Sequence, residues 1–260
     1  MRIIFQILML IMCFSYFNTL SFSQALKNNC SICLEPLLGI FSIDAWDNSF
    51  HTHHIKEGDF CNSCSRIISE GITQGGFIYS DGRHVCTLCQ TSIIENEQDI
   101  KKSYESVIQQ LNQIGIQKIS KEIPIKLINL IDLKKITGIN SHGDLKGYTQ
   151  FDYANKKNKF KIFILFGLPK IEFEATLAHE LLHIWQEENN FHHKLEITEG
   201  FCNLGRALIY ENDSTQFSMI HLNAMQTDTS LIYGTGYRKI KLIKEKIGWE
   251  NLINNFQNIK

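Results

Sequence analysis

Three pairs of cysteines, each pair enclosing two residues, constrain the fold of this chain more than any other feature. They are Cys30 and Cys33, Cys61 and Cys64, and Cys86 and Cys89. Between the first two pairs lie His51 and His54, which also enclose two residues. Such a turn directs two ligands at one ion, and a second turn completes a tetrahedron. The spacing therefore predicts zinc sites in the first third of the chain.

The natural grouping gives two sites in series. The first predicted site contains Cys30, Cys33, His51 and His54. The second contains Cys61, Cys64, Cys86 and Cys89. Four protein ligands leave no open position on the ion, which is typical of structural zinc. Disulfides are the alternative, because exported chains with paired cysteines often form a disulfide framework. Disulfides would not require the two histidines at this spacing.

The first 25 residues have the layout of a secretory signal peptide. Arg2 precedes an almost wholly apolar stretch from Ile3 to Phe17, and Ser21 and Ser23 stand at −3 and −1 of a cleavage point. An uncleaved membrane anchor is the alternative, although a spanning helix needs about 20 apolar residues. We therefore expect a secreted or periplasmic protein with no membrane span in the mature chain.

Composition and charge exclude two classes of protein. Twenty-six basic and 27 acidic residues give a net charge of −1, which argues against a nucleic-acid binder with a broad basic surface. With 43% apolar residues, the chain is not intrinsically disordered. We predict a signal peptide over 1–25, a zinc domain over 26–94 and a second domain over 95–260.

The second domain combines helical and strand patterns, which predicts an α+β fold. Apolar residues recur at helical spacing from Glu97 to Gln117. The stretch Ile123–Leu133 has the pattern of a strand. Tyr148–Tyr153 and Phe160–Phe166 have the pattern of a hairpin around residues 155–158.

The segment A-H-E-L-L-H, from Ala178 to His183, is the strongest motif in the chain. On a helix, His179 and His183 are one turn apart and differ by about 40°. Glu180 lies to the side, where it can reach a metal-bound water without binding the metal. This is the zincin pattern H-E-x-x-H. The alternative is a helix with two partly buried histidines and an ion-paired glutamate.

A catalytic zinc has three protein ligands and one open position, so a third ligand is needed. Glu199 is the first choice and Glu196 the second, both near the start of a helix predicted from Glu196 to Tyr210. Glu199 precedes Gly200, where the motif helix and this helix can approach closely. Cys202 is expected to be buried packing and not a ligand.

Two known families resemble this order of motifs. The first part, with Phe50 before the histidines, resembles a LIM domain, although six residues separate His54 from Cys61 where that family usually has two. The whole resembles the plant DA-one-type LIM peptidases, which regulate organ size and cleave ubiquitin-pathway proteins. The matching segments are Gly167–Pro169, Ala178–Trp185, Thr198–Cys202 and Asp228–Arg238.

The resemblance implies a zincin-like, gluzincin-type peptidase domain that follows a LIM-like double zinc finger. Its metal ligands correspond to His179, His183 and Glu199, and its catalytic glutamate corresponds to Glu180. The signal peptide departs from the plant family. With the Ile/Asn/Lys-rich composition, it favours a secreted bacterial relative.

The functional expectation is therefore a zinc metallopeptidase with three zinc ions per chain, one catalytic and two structural. Its substrate is a protein or peptide, and the LIM-like domain recognises substrate or partner. Tyr233, Tyr237 and His221 are candidates to stabilise the oxyanion, with Tyr233 first. A non-catalytic, zinc-stabilised binding module and another metal-dependent hydrolase remain alternatives. Glu180 favours catalysis, because a structural site needs no acid between its histidines.

Overall fold

A computed structural model describes residues 29–117, 119, 123–138, 145–154 and 159–259. The chain divides into two compact units, Met1–Tyr79 with Arg83–Leu88, and Ser80–Gly82 with Cys89–Lys260. The predicted signal peptide over 1–25 lies outside the described residues. The predicted boundary between residues 94 and 95 stays a prediction.

The cysteine-rich region contains two short antiparallel hairpins. Strand β1 (Phe41–Ile43) pairs with β2 (Ser49–His51), and β3 (Gly76–Ile78) pairs with β4 (His84–Cys86). Single-turn helices α1, α2 and α3 cover His54–Glu57, Glu70–Thr73 and Thr87–Gln90. Its apolar core is small and centres on Cys30, Phe50 and Ile67. So small a core is typical of a unit whose folding free energy comes from metal binding.

The predicted helix from Glu97 is present as α4 (Glu97–Gln113) and is shorter than predicted. Asn96 caps its start, because its side chain accepts a hydrogen bond from the Asp99 N–H. Gly115 has a φ of 97°, a left-handed conformation that glycine adopts readily and that ends the helix before Gln117.

A three-stranded sheet with the order β5-β7-β6 forms the base of the second unit. Strand β7 (Phe160–Leu165) lies in the centre, parallel to β5 (Ile125–Ile128) and antiparallel to β6 (Gly147–Phe151). The predicted hairpin is therefore present, and its turn at 155–158 lies outside the described residues. The central position of β7 explains its buried apolar run from Ile162 to Leu165.

The predicted strand Ile123–Leu133 is wrong in its second half. The strand β5 ends at Ile128, and helix α5 (Leu130–Thr137) follows. Asn129 caps this helix by accepting a 2.7 Å hydrogen bond from the Asp132 N–H. An apolar run alone does not distinguish a strand from a buried helical turn, whereas the Asn129-x-x-Asp132 cap does.

Four helices complete the second unit: α6 (Lys170–Glu188), α7 (Leu195–Glu211), α8 (Gln216–Thr227) and α9 (Gly234–Asn254), which is kinked at Gly248. Helix α6 carries the H-E-x-x-H motif and is buried along most of its length. Helices α6 and α7 pack side by side, and α9 packs on α7. The predicted α+β class, with tandem Cys/His clusters before a helical domain, is confirmed. None of the helices in the described ranges has the length and apolar character to cross a bilayer.

The close approach expected at Gly200 exists, but its partner is α9 and not α6. A Cβ on Gly200 would lie 2.4 Å from the Gly236 carbonyl oxygen, and one on Gly236 would lie 2.3 Å from the Glu196 carbonyl oxygen. Helix α6 instead approaches α7 at Gly205, where a Cβ would lie 2.6 Å from Leu182 Cδ1. The sequence indicated a tight contact without indicating which helix supplies it.

Gly200→Ala is expected to destabilise the fold by about 1–3 kcal/mol, because the added methyl group would meet backbone atoms that cannot rotate away. Urea unfolding would measure this as a lower midpoint. Gly71→Ala is the control, since its Cβ would lie 3.4 Å from the nearest atom, and it should cause no loss. Equal midpoints for Gly200→Ala and the unsubstituted chain would contradict the packing described here.

Candidate metal centres and active site

The first cluster brings together the four residues predicted from the sequence, Cys30, Cys33, His51 and His54. Cys33 Sγ lies 3.4 Å from His51 Nδ1. Ligands about 2.3 Å and 2.0–2.1 Å from one tetrahedral zinc would be separated by about 3.5 Å. Burial opposes ionisation of Cys30, but backbone N–H groups that include that of Ile32 lower its pKa to about 6. The thiolate is the form that binds zinc.

The second cluster consists of Cys61, Cys64, Cys86 and Cys89, and all four side chains are buried. Cys64 Sγ and Cys86 Sγ are 3.7 Å apart, close to the separation of about 3.8 Å for two thiolates on one zinc. A disulfide would require about 2.05 Å. None of the seven cysteines in the described residues is joined in a disulfide, so the geometry fits zinc and not a disulfide framework.

The third group lies between helices α6 and α7. His179 Nε2 and His183 Nε2 are 3.2 Å apart, and Glu199 Oε2 lies 3.2 Å from the first and 3.6 Å from the second. Two nitrogens on one tetrahedral zinc would be separated by about 3.3 Å. Apart from these two histidine nitrogens, the buried Glu199 Oε2 has no partner among the described residues. A buried carboxylate oxygen without a partner is unfavourable, so this arrangement fits a bound cation.

The charge states of this group suit metal binding. Burial lowers the pKa of His183, and the neighbouring His179 adds to the effect, so the ring is neutral near pH 7. Burial works against the charged form of Glu199, but His179, His183 and Arg206 together hold its pKa below the usual range. A neutral imidazole and an ionised carboxylate are the forms that ligate zinc.

Glu196, the second choice for the third ligand, does not face the histidines. Its carboxylate pairs with Lys239 Nζ at 3.3 Å and is partly exposed. Glu196 and Glu199 are one turn apart on α7, and the Lys239 pairing directs Glu196 towards α9. The geometry therefore favours Glu199.

Cys202 also lies within ligand distance of the two histidines. Its Sγ is 3.3 Å from His183 Nδ1, whereas Glu199 and His179 face Nε2 of the same ring. The two ring nitrogens direct their lone pairs away from each other. An ion on Nε2 would therefore face Glu199 and not Cys202, and the expectation that Cys202 is not a ligand stays a prediction.

Glu180 is 4% exposed and lies against the edge strand β6. Thr149 Oγ1 is 2.7 Å from Glu180 Oε2 and donates to it. A Cβ on Gly147 would lie 2.6 Å from Glu180 Oε1, so only glycine leaves this oxygen room. The motif did not reveal Thr149 or Gly147, because their approach depends on the pairing of β6 with β7.

Tyr233 is the one oxyanion candidate that the structure brings near the third group. It is 47% exposed, and burial together with the Glu199 and Glu180 charges raises its pKa. Tyr237 is instead fully buried, and the acidic groups that act on it are Glu211 and Glu245. His221 stacks on Tyr210 and Phe217. The Tyr237 and His221 candidates are therefore not supported.

Arg238, at the end of the matching segment Asp228–Arg238, donates to the carbonyls of Gln226 and Asp228, which fixes the loop before α9. Arg206 is the cation that acts on Glu199 and Tyr233, and sequence reasoning missed it. Its position seven residues after Glu199, on the same face of α7, was the available signal.

Curated plant proteins match most of this chain at low identity. "Protein DA1-related 7" of Arabidopsis thaliana is 21% identical over an alignment that covers 88% of this chain and 53% of that protein. "LIM domain-containing protein HDR3" of Oryza sativa subsp. japonica is 20% identical over an alignment that covers 93% of this chain and 63% of that protein. "Protein DA1-related 1" of Arabidopsis thaliana is 22% identical over an alignment that covers 60% of this chain and 34% of that protein.

The distant homologues of this chain are plant DA1-related and LIM domain proteins. With the Cys/His clusters, this similarity supports a zinc-binding protein of the LIM type. The chain spans between about half and two thirds of the length of the first two relatives. No family model matches the chain. No solved structure matches it either.

We expect three zinc ions per chain, because two four-residue clusters and the His179–His183–Glu199 group each have ligand spacing. Elemental analysis of protein purified without added metal would measure the ratio, and thiol titration would show whether the cysteines are reduced. A single zinc with no free thiols between Cys30 and Cys89 would contradict the two cysteine sites and favour disulfides.

Proposed function

We propose that this chain is a zinc-dependent peptidase whose active site is formed by His179, His183 and Glu199 as metal ligands and Glu180 as general base. The observation that carries the proposal is the convergence of three ligand atoms within 3.2–3.6 Å, beside a second carboxylate, that of Glu180, which is not among them. Three protein ligands leave a position open for water, which is typical of catalytic zinc.

His179, His183 and Glu199 would hold the zinc ion, which would supply a Lewis acid for the scissile carbonyl and for water. Glu180 would accept a proton from the attacking water and pass it to the leaving amine. Thr149 donates to one oxygen of Glu180 and leaves the other as the acceptor. A positioned base of this kind contributes about 10²–10⁴-fold to the rate.

Tyr233 is the proposed donor to the oxyanion. A tyrosine hydroxyl is protonated at neutral pH and can donate, and the environment raises the pKa of Tyr233 further. The side chain is half exposed, so a substrate has access to it. A phenolic donor near the metal would act on the charge that develops on the carbonyl oxygen.

Strand β6 suits a peptide substrate. It is an edge of the described sheet, with β7 on one side only. An extended peptide can pair with such an edge through backbone hydrogen bonds. Thr149 of this strand contacts Glu180, so a peptide paired there would lie next to the proposed base.

The LIM-like region is the proposed site of partner or substrate recognition. Leu34, Leu38 and Ile40 are 72%, 84% and 90% exposed, and exposed apolar groups are typical of interaction surfaces. This observation also favours the second candidate function, a zinc-stabilised binding module without catalysis. With the signal peptide, we propose that the protein acts outside the cytoplasm as a bacterial relative of the plant proteins.

The test is digestion of a peptide library by the zinc-loaded chain, with products identified by mass spectrometry. We expect internal cleavage that a chelator abolishes and added zinc restores. The absence of any cleavage by a chain that holds three zinc ions would favour the binding module.

A further inference from the structure

Both proposed metal-binding histidines have a second contact, on the ring nitrogen that faces away from Glu199. His179 Nδ1 lies 3.1 Å from Asn203 Oδ1, and His183 Nδ1 lies 3.3 Å from Cys202 Sγ. These two partners are consecutive on α7. Consecutive helical residues differ by about 100°, so they reach histidines that are one turn apart on the neighbouring helix α6.

We propose that Cys202 and Asn203 are positioning residues that set the ring orientation and the proton position of both metal-binding histidines. The inference rests on the proposed function only in taking His179 and His183 as the ligands. It assigns to α7 both the third ligand and the two outer contacts, whereas α6 supplies the rings and the base.

The orientation of the Asn203 amide follows from its other contact. Its Nδ2 donates to the Tyr233 carbonyl oxygen at 3.4 Å, which leaves Oδ1 facing His179. An amide oxygen only accepts hydrogen bonds, so His179 must carry its proton on Nδ1. The Nε2 lone pair is then directed at His183 and Glu199. Asn203 thereby links the loop that carries Tyr233 to a metal ligand.

Cys202 has a corresponding arrangement on the other ring. It is fully buried, and its Sγ accepts a hydrogen bond from Gln186 Nε2 at 3.0 Å. The same Gln186 nitrogen lies 3.3 Å from the Thr198 carbonyl oxygen, which ties α6 to the first turns of α7. When His183 binds metal through Nε2, its ring proton is on Nδ1. The Nδ1–H group then donates a hydrogen bond to Cys202 Sγ.

Outer contacts of this kind affect metal affinity as well as geometry. Ligating histidines normally donate their second N–H to a fixed acceptor, and loss of that acceptor typically costs about 10–100-fold in affinity. Asn203 is 5% exposed and Cys202 is 0% exposed, so water does not readily replace either group. Each should therefore have a measurable effect on the third zinc.

The first test measures the zinc affinity of the third site by chelator competition in the full chain. Asn203→Ala should lower this affinity about 10–100-fold, and Asn203→Asp should restore most of it because a carboxylate oxygen still accepts from Nδ1. Asn212→Ala is the matched control, since it removes a hydrogen-bonded asparagine from the C-cap of the same helix. Unchanged affinity in Asn203→Ala, or no recovery in Asn203→Asp, would overturn the role of Asn203.

The second test uses cadmium in place of zinc and records cadmium NMR spectra, in which the shift reports the number of bound sulfurs. We expect separate signals for four, two and no sulfur ligands. Cys202→Ser keeps an acceptor and should leave the shift of the sulfur-free signal almost unchanged, whereas Cys202→Val should weaken binding at that site only. A third signal in the sulfur range that moves in Cys202→Ser would make Cys202 a ligand and overturn its positioning role.

Neither readout requires peptide cleavage, so the two proposals fail separately. If the unsubstituted chain cleaves peptides and its Asn203→Ala variant binds the third zinc with the same affinity, this inference is overturned and the proposed function stays intact. A chain that cleaves nothing, yet loses third-site affinity in Asn203→Ala and regains it in Asn203→Asp, would support the inference and count against the peptidase.

Discussion

Glu199→Ala is expected to reduce the zinc content from three ions per chain to two. With only His179 and His183 left, the ion would have two protein ligands instead of the three usual at catalytic sites. The buried Glu199 Oε2 contacts both histidines at Nε2, whereas Cys202 Sγ lies at His183 Nδ1 and does not face an ion bound at Nε2. Elemental analysis after exhaustive dialysis would measure the loss, and peptide cleavage should disappear with it.

Two variants on the same helix serve as controls. Glu196→Ala should keep the third zinc, because Glu196 pairs with Lys239 and does not face the site. Cys202→Ala should also keep it at saturating zinc, although with lower affinity. If Glu196→Ala loses the ion and Glu199→Ala keeps it, the ligand assignment is wrong, while the role of the two histidines survives.

Glu180→Gln is expected to keep all three zinc ions and the fold but to lower kcat by about 10²–10⁴-fold. The amide is nearly isosteric with the carboxylate and can keep one contact with Thr149, but it cannot accept the proton of water. Zinc content, thermal midpoint and the initial rate on one cleaved library peptide would be measured for the same preparation.

Glu187→Gln is the matched control, since it makes the same change on the same helix at a residue that pairs with Lys159 near the surface. It should leave kcat unchanged. Cleavage by Glu180→Gln at the rate of the unsubstituted chain would remove Glu180 from the mechanism. Loss of zinc in Glu180→Gln would instead make Glu180 a ligand.

The metal sites could be predicted from the sequence because the ligands are close along the chain. A Cys-x2-Cys turn or a His-x3-His helical turn brings two ligands together by local geometry. To complete each predicted site, only one further pair of ligands or one further ligand therefore had to be identified. Of the two candidates for the third ligand, Glu199 is the one that faces the histidines, although the reason given for it was incomplete.

Contacts between distant segments could not be predicted in the same way. Thr149 reaches Glu180 only because β6 pairs with β7 as an edge strand. Asn203 reaches His179 only because α6 and α7 pack in one particular register. A single sequence gives the faces of these elements but not their register, so both contacts were missed.

The misplaced expectations have specific physical causes. Gly200 was assigned to the contact between α6 and α7, whereas its neighbour is Gly236 of α9 and Gly205 makes the approach to α6. The strand predicted to Leu133 ends at Ile128, because the Asn129 cap outweighs the apolar run that follows. The first error took a local signal to identify its tertiary partner, whereas the second overlooked a local capping signal.

The proposed peptidase requires a third, solvent-open zinc centre on helices α6 and α7. An anomalous difference map from a crystal of the purified chain, measured at the zinc edge, would detect it directly. We expect three peaks, the third about 2.0–2.2 Å from His179 Nε2, His183 Nε2 and a Glu199 carboxylate oxygen, with solvent as the fourth ligand. A third peak bonded to Cys202 Sγ, or no peak between these helices in zinc-saturated protein, would contradict it.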